Sequence, residues 1–589
     1  MTLIAGIFSR KDRLIPVEAC ENLRQSISRH SDDEIDVFID YRSYFLKVDI
    51  GAFGEPGVFV DSNGGLSMLA GEPLLSILPD TSCQSREKDL RLIHEGLIRD
   101  DCEILRKAEG TFCAVTFEPR SGTLTLIADK LGTRPLYYWI DEDYVVFATA
   151  LRILENLSIV PKTMDVRAVT EIVALGAPLS KRTPYANIAL LKSAEVLRVT
   201  RTNVSRRCYW RWDEIESSLG SEQDLFNEAY ECFQAAVTRR VGEDQATVAY
   251  LSGGLDSRCV VAALTDQGLR VHTFNFARPG TQDHFFGNNF AEKIGAIHQA
   301  IPKKPGDQIP DYSSMLAQVW NATLKRLTEP ATRPLLAWSG EGGSVLLGHV
   351  HMDQAIVDLM RAGNTDGAIE EFFRREYVHV PSKLFKAKAF KLIDGVIKEG
   401  VKDELSELHG NDPARDFYLF LMLNDQRRKL AAHFENIDLH RIELQLPFFD
   451  SAFIASIIAL PVDRCLYHRF YTKWLAHFPS AVTCVPWQTY PGHEPCPLPI
   501  PSELVYQWDD KHQATERASQ KERAVKQATQ LLSALDFPGE IMSKRNLRLA
   551  AWIHAKGWRD YEHVIKAAHT YHSYWRACKG TYVMPATTA

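Results

Sequence analysis

The sequence lacks long hydrophobic runs and any cysteine pattern. Its longest apolar run after the opening residues, Ala452 to Leu460, falls well short of the ~20 residues that a membrane-spanning helix needs. The opening stretch MTLIAGIFSRKDRL has no leading basic region, which argues against a secretory signal. The eleven cysteines are scattered, with no CxxC or Cys/His spacing, so we expect neither a zinc site nor a disulfide framework. These absences predict a cytoplasmic protein with reduced thiols and no membrane contact.

A large net charge is also missing. The net charge of −7 and the pI of about 6.3 give no general reason to expect nucleic acid or an anionic membrane as a partner. The composition, 45% hydrophobic and 24% charged, is that of a globular protein, and 589 residues are too many for one core. Basic residues are enriched between Lys544 and Lys579, which indicates either a solvated helical face or a surface for a peptide or acidic partner.

The first two hundred residues alternate short β-rich runs with turns. Examples of these runs are YFLKVDIGAF, GTLTLIADK and YVVFATA, and helical patterns occur around Val17–Arg29 and Glu87–Ile104. This mixture predicts a layered α+β domain with antiparallel strands, over residues 1–205. A polar segment from Arg206 to Ser221 follows and marks the expected boundary.

Beyond the boundary the pattern becomes strand, turn, helix and strand. ATVAYL is followed by SGGLDS, the helical RCVVAALTDQG, the strand-like RVHTFNFA, the helical DHFFGNNFAEKIG and the strand-like AIHQAI. Such alternation predicts parallel α/β construction, in which ligands bind at the carboxyl ends of the strands. Helical patterns dominate from about Val350. Residues 206–589 are therefore predicted to form an α/β domain with a helical C-terminal part.

The stretch VAYLSGGLDSRCVVAAL carries the clearest chemistry. A glycine-rich turn at a helix N-terminus presents backbone N–H groups to one point, which suits a phosphate. Ser252 and Ser257 add hydroxyl donors, and Gly253 and Gly254 let the backbone approach closely. Asp256 would repel a bare phosphate, so it implies an intervening cation, for which Mg²⁺ is the expected ion. The alternative is a turn that only reverses the chain. No Walker A lysine is present.

This turn resembles the pyrophosphate loop of ATP pyrophosphatases, and further motifs resemble the asparagine synthetase B superfamily. These motifs are GTFCAVTFEPRSGTLTLIADKLGTRPLYYW (110–139), WSGEGGSVLLGH (338–349) and ENIDLHRIELQLPFFD (435–450). The resemblance implies a class II glutaminase-like sandwich at the N-terminus and an ATP- and Mg²⁺-dependent synthetase domain after it. The ATP-binding positions that it implies are Leu251, Ser252, Gly253, Gly254, Asp256, Ser257, Phe276, Ser339 and Gly340.

The sequence departs from that family at the glutaminase nucleophile. The family uses an N-terminal cysteine as nucleophile and base. Here the matching stretch LIAGIF has Ala5 at that position, with further residues before it. We therefore expect an inactive glutaminase-like domain that cannot release ammonia. Without ammonia, the acceptor must be another amine, which argues against asparagine synthesis.

The second nucleotide motif also differs. Ser344 stands where the family has an acidic residue, so the resemblance leaves Asp256 as a metal ligand, with Asp283 as a plausible companion. Glu341 and Glu443 occupy the family's two acidic positions and together could take a proton from an attacking ammonium. The alternative for each glutamate is an ordinary ion pair.

Relatives have a downstream lysine where this chain reads VPWQTYPGHEPCPLP (485–499). A proline-rich stretch of this kind is also typical of a purely structural loop. It closely resembles, however, a signature of lasso peptide cyclases, the branch of the superfamily that closes peptide macrolactams. That resemblance implies a precursor peptide as substrate, with a leader peptidase and a leader-recognition protein as partners. The alternatives are a β-lactam or carbapenam synthetase and a catalytically inactive binding protein.

Overall fold

The protein is described by a computed structural model over residues 2–11, 13–76, 85–301, 331–506 and 510–585. The strands within these ranges are β1 Thr2–Ser9, β2 Asp36–Asp40, β3 Ser43–Asp49, β4 Val58–Val60, β5 Leu66–Gly71, β6 Phe112–Glu118, β7 Thr123–Ala128, β8 Tyr137–Ile140, β9 Tyr144–Ala148, β10 Met164–Asp165, β11 Ala189–Leu190, β12 Glu195–Val199, β13 Val204–Cys208, β14 Ala246–Tyr250, β15 Arg270–Asn275, β16 Ile297–Ala300, β17 Leu336–Trp338, β18 Glu443–Gln445 and β19 Tyr582–Val583.

Helices dominate the second half, as the sequence predicts. The helices of the described ranges are α1 Val17–Ser26, α2 Arg86–Ile98, α3 Glu103–Arg106, α4 Leu151–Glu155, α5 Val166–Leu175, α6 Glu222–Val241, α7 Asp256–Asp266, α8 Gln282–Ile294, α9 Gly343–Gly348, α10 Gln354–Arg361, α11 Thr365–Arg375, α12 Ala387–Ile393, α13 Val396–Ser406, α14 Pro413–Leu421, α15 Arg427–Glu435, α16 Ile437–His440, α17 Ser451–Ile458, α18 Val462–Cys465, α19 Arg469–Trp474, α20 Ala481–Cys484, α21 Asp510–Ser533, α22 Lys544–Lys556 and α23 Glu562–Ala577.

The N-terminal part contains two antiparallel six-stranded sheets, with strand orders β11-β8-β9-β1-β3-β2 and β13-β12-β7-β6-β5-β4. Strand β1 lies inside the first sheet, and all of its residues are buried. Successive side chains of a strand point to opposite sides, so both faces of β1 are covered by protein. Ile4 and Phe8 join the core that includes residues of both sheets, while Leu3, Ala5 and Ile7 join the core that continues into the second half of the chain. The prediction of a layered α+β domain with antiparallel strands is confirmed.

The second part is built on a five-stranded parallel sheet of order β16-β15-β14-β17-β18. Strand β14 is central, and α7 and α8 follow β14 and β15 as the sequence pattern predicts. Parallel strands bring their carboxyl ends to one edge, so the loops after β14, β15 and β17 meet there. That edge carries the glycine-rich turn.

Secondary structure extends across one predicted division and interrupts one predicted helix. Strand β13 pairs with β12 over five residues, so the sheet continues through the predicted division at 205/206. The domain bounds 1–205 and 206–589 stay a prediction. The helical pattern over Glu87–Ile104 divides into α2 and α3, because Asp100 adopts a positive φ of 60° between them.

The chain's last described strand returns to the N-terminal part. Strand β19 pairs in parallel with β10, and α23 packs on α5, where the Tyr571 and Thr170 hydroxyls share a hydrogen bond. Among the described residues, no helix combines the length and apolar character required for a membrane span. The ten cysteines in the described ranges form no disulfide with one another, and Cys83 lies outside those ranges.

Candidate active site at the carboxyl edge of the parallel sheet

Hydrogen bonds to its own serine hydroxyls stabilise the turn between β14 and α7. The backbone N–H of Ser252 donates to Ser257 Oγ at 2.9 Å, and that of Gly254 donates to Ser252 Oγ at 3.2 Å. The Gly253 N–H donates to Asp283 Oδ1 at 2.6 Å. The amides of Ser252, Gly253 and Gly254 therefore all have partners within the protein, and the amide of Gly253 is engaged by a carboxylate. The two serine hydroxyls are 3.0 Å apart and share a hydrogen bond, so one donates to the other and the second keeps its proton for another acceptor.

Glycine is required where neighbouring backbone approaches this turn. A Cβ on Gly253 would lie 2.6 Å from Asp283 Cα, and one on Gly340 would lie 2.4 Å from the backbone N of Ser257. A Cβ on Gly343 would lie 2.6 Å from Asp256 Cγ. Gly253 therefore allows the start of α8 to approach the turn, and Gly340 and Gly343 allow the segment after β17 to pack against the start of α7.

Asp256 is the first residue of α7 and lies at the centre of this packing. Its Oδ1 accepts hydrogen bonds from Ser344 Oγ at 2.8 Å and from the Tyr471 hydroxyl at 2.9 Å. Burial, with a smaller effect from the charge of Glu341, raises the pKa of Asp256 to about 6, against the lowering effect of hydrogen bonds from the Ser344 backbone and from the Ser344 and Tyr471 hydroxyls. Ser344, at the position of the family's acidic residue, thus acts as a hydrogen-bond donor to the remaining carboxylate.

A cavity of about 350 Å³ opens beside Asp256. The residues that line it come from the glycine-rich turn, α8, the β17 loop, the residue before α19 and the proline-rich loop: Ser252, Gly254, Leu255, Asp256, Asp283, Glu341, Ser344, His468, Trp487, Gln488, Thr489, Tyr490, Glu494 and Tyr506. The loop of residues 485–499 that the sequence singles out therefore forms one wall of the same cavity as the glycine-rich turn.

The proline-rich loop is held against α7 by a buried arginine. The Arg258 guanidinium donates to the carbonyls of Val482, Val485 and Pro486, at 2.9, 2.5 and 2.7 Å. The Gln488 N–H donates to the Gly253 carbonyl at 3.0 Å. Charge-assisted hydrogen bonds of this kind are about twice as strong as neutral ones. The loop is thereby fixed to both the turn and the helix that begins at Asp256.

The two predicted catalytic glutamates are separated. Glu341 lines the cavity, and the protein around it partly excludes water from its carboxyl. This desolvation raises the pKa of Glu341, and the positive charge of Lys429 partly offsets the increase. Glu443 lies fully buried in β18 and is not among the cavity-lining residues; its Oε2 accepts a hydrogen bond from Arg134 of the N-terminal part at 2.7 Å. Arg134 lowers the pKa of Glu443 despite burial. Glu443 therefore forms the ion pair that the sequence left as its alternative, and a joint proton-accepting role for the two glutamates stays a prediction.

The remaining predicted ATP-binding residues lie around the turn. Leu251 is buried at the end of β14, where its N–H donates to the Phe274 carbonyl at 2.8 Å. Ser339 and Gly340 follow β17, and the Glu341 N–H donates to Ser339 Oγ at 3.2 Å. Phe276 follows β15 and is half-buried, with its ring 6.5 Å from that of Tyr250, outside the set that lines the cavity.

The carboxylates of Asp256 and Asp283 fit the predicted Mg²⁺. Both line the cavity beside the glycine-rich turn, and Mg²⁺ commonly uses one or two carboxylates together with phosphate oxygens. Burial raises the pKa of Asp283 as well, which indicates a carboxylate without a full set of compensating charges. Within the described ranges there is no group of three or more His, Cys, Asp or Glu side chains that could hold an ion by itself. An ion at these two carboxylates would need further ligands, which the phosphate oxygens of a nucleotide could supply.

The raised pKa of Asp256 predicts how Mg²⁺ use depends on pH. The carboxylate is charged above about pH 6 and protonated below it, so the apparent Mg²⁺ affinity is expected to fall by about tenfold for each pH unit below that value. Ser344→Ala removes a hydrogen bond that lowers the pKa of Asp256. The variant's Mg²⁺ affinity should therefore begin to fall at a higher pH than that of the wild type. Mg²⁺ titrations of ATP–pyrophosphate exchange across pH measure both. Equal Mg²⁺ requirements for the variant and the wild type at every pH would contradict this assignment.

Ala5 has neither a nucleophilic side chain nor a free α-amine. It is fully buried within β1 and pairs with Leu46 on one side and Ala148 on the other. We expect the purified protein to release neither glutamate nor ammonia from glutamine above background, measured by a coupled glutamate assay. Ala5→Cys should not restore hydrolysis, because the strand continues before this residue and the thiol would be enclosed. Glutamine hydrolysis by the wild type would contradict this.

Several residues of the cavity were not predicted from the sequence. Tyr471, Tyr490 and His468 lie in or beside it, and Tyr471 contacts Asp256 across 215 positions of sequence. The signal available for Tyr490 was its position in the proline-rich loop. A second cavity of about 360 Å³ lies between β13 and α14, with the buried Arg427 in its wall, and none of its lining residues belongs to the glycine-rich turn.

The comparison with protein families follows this division of the chain. Residues 90–210 match the model described as glutamine amidotransferase domain, and residues 228–475 match the model described as asparagine synthase. The chain is thus asparagine synthetase-like, with an amidotransferase-type region before an asparagine synthase region. The second match contains the glycine-rich turn, Asp283, Glu341, Ser344 and His468.

Curated relatives share part of their length with this chain. The putative asparagine synthetase [glutamine-hydrolyzing] 2 of Methanocaldococcus jannaschii is 26% identical over 190 residues, which is 31% of this chain and 36% of that protein. The asparagine synthetase [glutamine-hydrolyzing] 3 of Bacillus subtilis is 26% identical over 168 residues, 28% of this chain and 26% of that protein. The matched region therefore spans about a third or less of these relatives. A solved glutamine phosphoribosylpyrophosphate amidotransferase from B. subtilis covers 53% of this chain and 83% of its own, at 13% identity and a TM-score of 0.24, too weak a likeness to carry any conclusion.

Proposed function

We propose that this protein is an ATP-dependent, AMP-forming amide ligase that closes a peptide macrolactam, as in lasso peptide biosynthesis. The observation that carries the proposal is the shared cavity: the glycine-rich turn, Asp256, Glu341 and the proline-rich loop all line it. The substrate is a precursor peptide with a free N-terminal amine and an internal Asp or Glu. A leader peptidase and a leader-recognition protein are the proposed partners.

The reaction proceeds in two steps. The side-chain carboxylate of the peptide attacks the α-phosphorus of ATP, which forms an acyl-adenylate and releases pyrophosphate. The N-terminal amine then attacks the acyl carbon, and the bond from that carbon to the AMP oxygen breaks. A carboxylate is a poor acylating agent, and adenylation supplies the leaving group. When the protein holds the amine and the acyl carbon together, their translational and rotational entropy is lost before the reaction. This can lower the activation free energy by ~7–11 kcal/mol.

Each part of the cavity has a place in this scheme. Ser252 and Ser257 offer hydroxyls to the phosphates, and Asp256 and Asp283 would hold the Mg²⁺. Mg²⁺, when bound, would neutralise phosphate charge during adenylation. Glu341 faces the cavity as a carboxylate and is placed to attract the incoming ammonium. The proline-rich loop closes one side, which limits the access of water to the adenylate.

The absence of a nucleophile at Ala5 supports an acceptor other than ammonia. A β-lactam or carbapenam synthetase would use the same adenylation chemistry on a small molecule, and the proline-rich loop is the feature that favours a peptide. An inactive binding protein would not need a carboxylate with two hydroxyl donors beside a glycine-rich turn.

Nucleotide analysis tests this proposal. The protein is incubated with ATP, Mg²⁺ and a leader-free candidate precursor peptide that has a free N-terminal amine and an internal Asp or Glu, and the nucleotides are separated by chromatography. We expect AMP and pyrophosphate to form in amounts that depend on the peptide. ADP and phosphate as the products would contradict it, and AMP formation with small amino acids but no peptide would favour the small-molecule synthetase.

A further inference from the structure

Two histidines form a hydrogen-bonded pair at the wall of the cavity. The Nδ1 atoms of His468 and His493 are 2.7 Å apart, so one ring must donate a proton to the other. His468 precedes α19 and lines the cavity, whereas His493 belongs to the proline-rich loop and is half-buried. The pair therefore reaches from the candidate active site towards the exterior.

The backbone around His468 is held in an unfavourable conformation. Tyr467 and His468 have φ values of 58° and 64°, in the left-handed region that costs roughly 1–2 kcal/mol for each non-glycine residue. Contacts on both sides maintain it: the Tyr467 carbonyl accepts from the Glu494 N–H at 2.9 Å, and its hydroxyl accepts from the Gln354 N–H at 3.0 Å. Strain of this kind persists where the surrounding structure enforces it, commonly at functional sites.

The His468 ring is also positioned by packing. It stacks on Tyr490 and Tyr471, with ring centroids 5.4 and 5.7 Å away. A side chain at Gly348 would collide with the ring, because a Cβ there would lie 2.5 Å from Nε2. With Nδ1 bonded to His493, Nε2 is the nitrogen that has no hydrogen-bond partner among the described residues.

We propose that the His468–His493 pair accepts and removes the proton of the attacking amine during ring closure. This inference rests on the proposed function. The amine forms its bond to the acyl carbon, and AMP leaves with the electron pair of the broken bond. The proton released from the amine nitrogen goes to Nε2 of His468. The proton on Nδ1 of His468 passes to Nδ1 of His493, and His493 releases its Nε2 proton to solvent.

The surroundings keep both rings neutral, because they oppose protonation of each imidazole. Burial, followed by the charges of His493 and His349, lowers the pKa of His468 to about 3, and burial followed by Arg375 lowers that of His493 to about 4. The other titratable groups against the pair are Tyr467, Tyr471 and Tyr490. Both imidazoles are thus neutral when substrate arrives, and the negative charge of a bound adenylate would raise both pKa values as the proton arrives.

Separate assays of the two half-reactions test the proposal. His468→Gln keeps a side chain that can hydrogen-bond to His493 but cannot accept a proton as a base. We expect this variant to retain peptide-dependent ATP–pyrophosphate exchange, while ring closure falls by about a hundredfold or more in kcat with KM unchanged. The acid limb of the closure rate against pH should also disappear. His493→Asn should give a smaller loss, and His379→Gln, at an exposed histidine away from the cavity, none.

Hydroxylamine provides the control for an intact adenylate. It attacks activated carboxyl groups without assistance from a base, so His468→Gln should form hydroxamate at the wild-type rate from a peptide with an acetylated N-terminus. Ring closure at the wild-type rate in His468→Gln would overturn this inference but not the proposed function. Loss of pyrophosphate exchange in that variant would do the same. Absence of exchange in the wild type would overturn the proposed function and the inference with it.

Discussion

Asp256→Asn is expected to abolish peptide-dependent ATP–pyrophosphate exchange while leaving the protein folded. The substitution keeps an oxygen that can accept from Ser344 and Tyr471, whose bonds to Asp256 measure 2.8 and 2.9 Å. It removes the negative charge that would hold Mg²⁺ against the phosphates. Loss of charge stabilisation for a phosphoryl or nucleotidyl transfer costs at least about two to three orders of magnitude in rate. Radioactive pyrophosphate exchange measures the effect.

Asp266→Asn is the matched control for this variant. Asp266 ends the same helix, α7, but is exposed to solvent and lies outside the cavity. The exchange rate of this control should equal that of the wild type. Ser252→Ala, at the hydroxyl 3.0 Å from that of Ser257, should also lose exchange. Persistent exchange by Asp256→Asn at saturating Mg²⁺ would remove Asp256 from the metal site.

Glu341→Gln and Glu443→Gln are expected to fail in different ways. Glu341→Gln removes the carboxylate that faces the cavity, so ring closure should slow by about ten- to a hundredfold while pyrophosphate exchange continues. Glu443→Gln breaks a buried ion pair and leaves Arg134 without its carboxylate, which typically costs about 3–5 kcal/mol of unfolding free energy. Its closure rate per folded molecule should remain that of the wild type.

Denaturant unfolding and closure assays on the same preparations separate these outcomes. A double variant, Arg134→Met with Glu443→Leu, replaces the pair by apolar side chains and should recover much of the stability that Glu443→Gln loses. A Glu443→Gln protein of normal stability that cannot close the ring would return Glu443 to the catalytic site.

Local features of the active site were predictable, and long-range contacts were not. The strand, turn and helix of Ala246–Asp266 follow from hydrophobic periodicity and a glycine-rich turn, which depend on neighbouring residues alone. The position of Glu443 depends on Arg134, 309 residues away, so its motif suggested a catalytic role that its surroundings do not support. The hydrogen bond between His468 and His493 was equally unpredictable, because it joins the residue before α19 to a residue of the proline-rich loop.

The domain boundary shows a second limit. The polar composition of Arg206–Ser221 indicates a linker, but composition does not reveal that β13 still pairs with β12. Charged residues on β13, an edge strand whose outer positions are exposed, made it look like part of the linker. The sequence also could not reveal that Gly253 donates to Asp283, since that contact joins two separate loops.

The mass of the peptide product tests the central claim most directly. The protein is incubated with ATP, Mg²⁺ and the leader-free precursor peptide, and the peptide is examined by mass spectrometry and fragmentation. We expect the loss of one water, with the new bond between the N-terminal amine and one internal Asp or Glu side chain. Acetylation of the N-terminus, or replacement of that acidic residue by Ala, should prevent the change. An unchanged peptide mass under conditions in which AMP is formed, or cyclisation that survives N-terminal acetylation, would contradict the account.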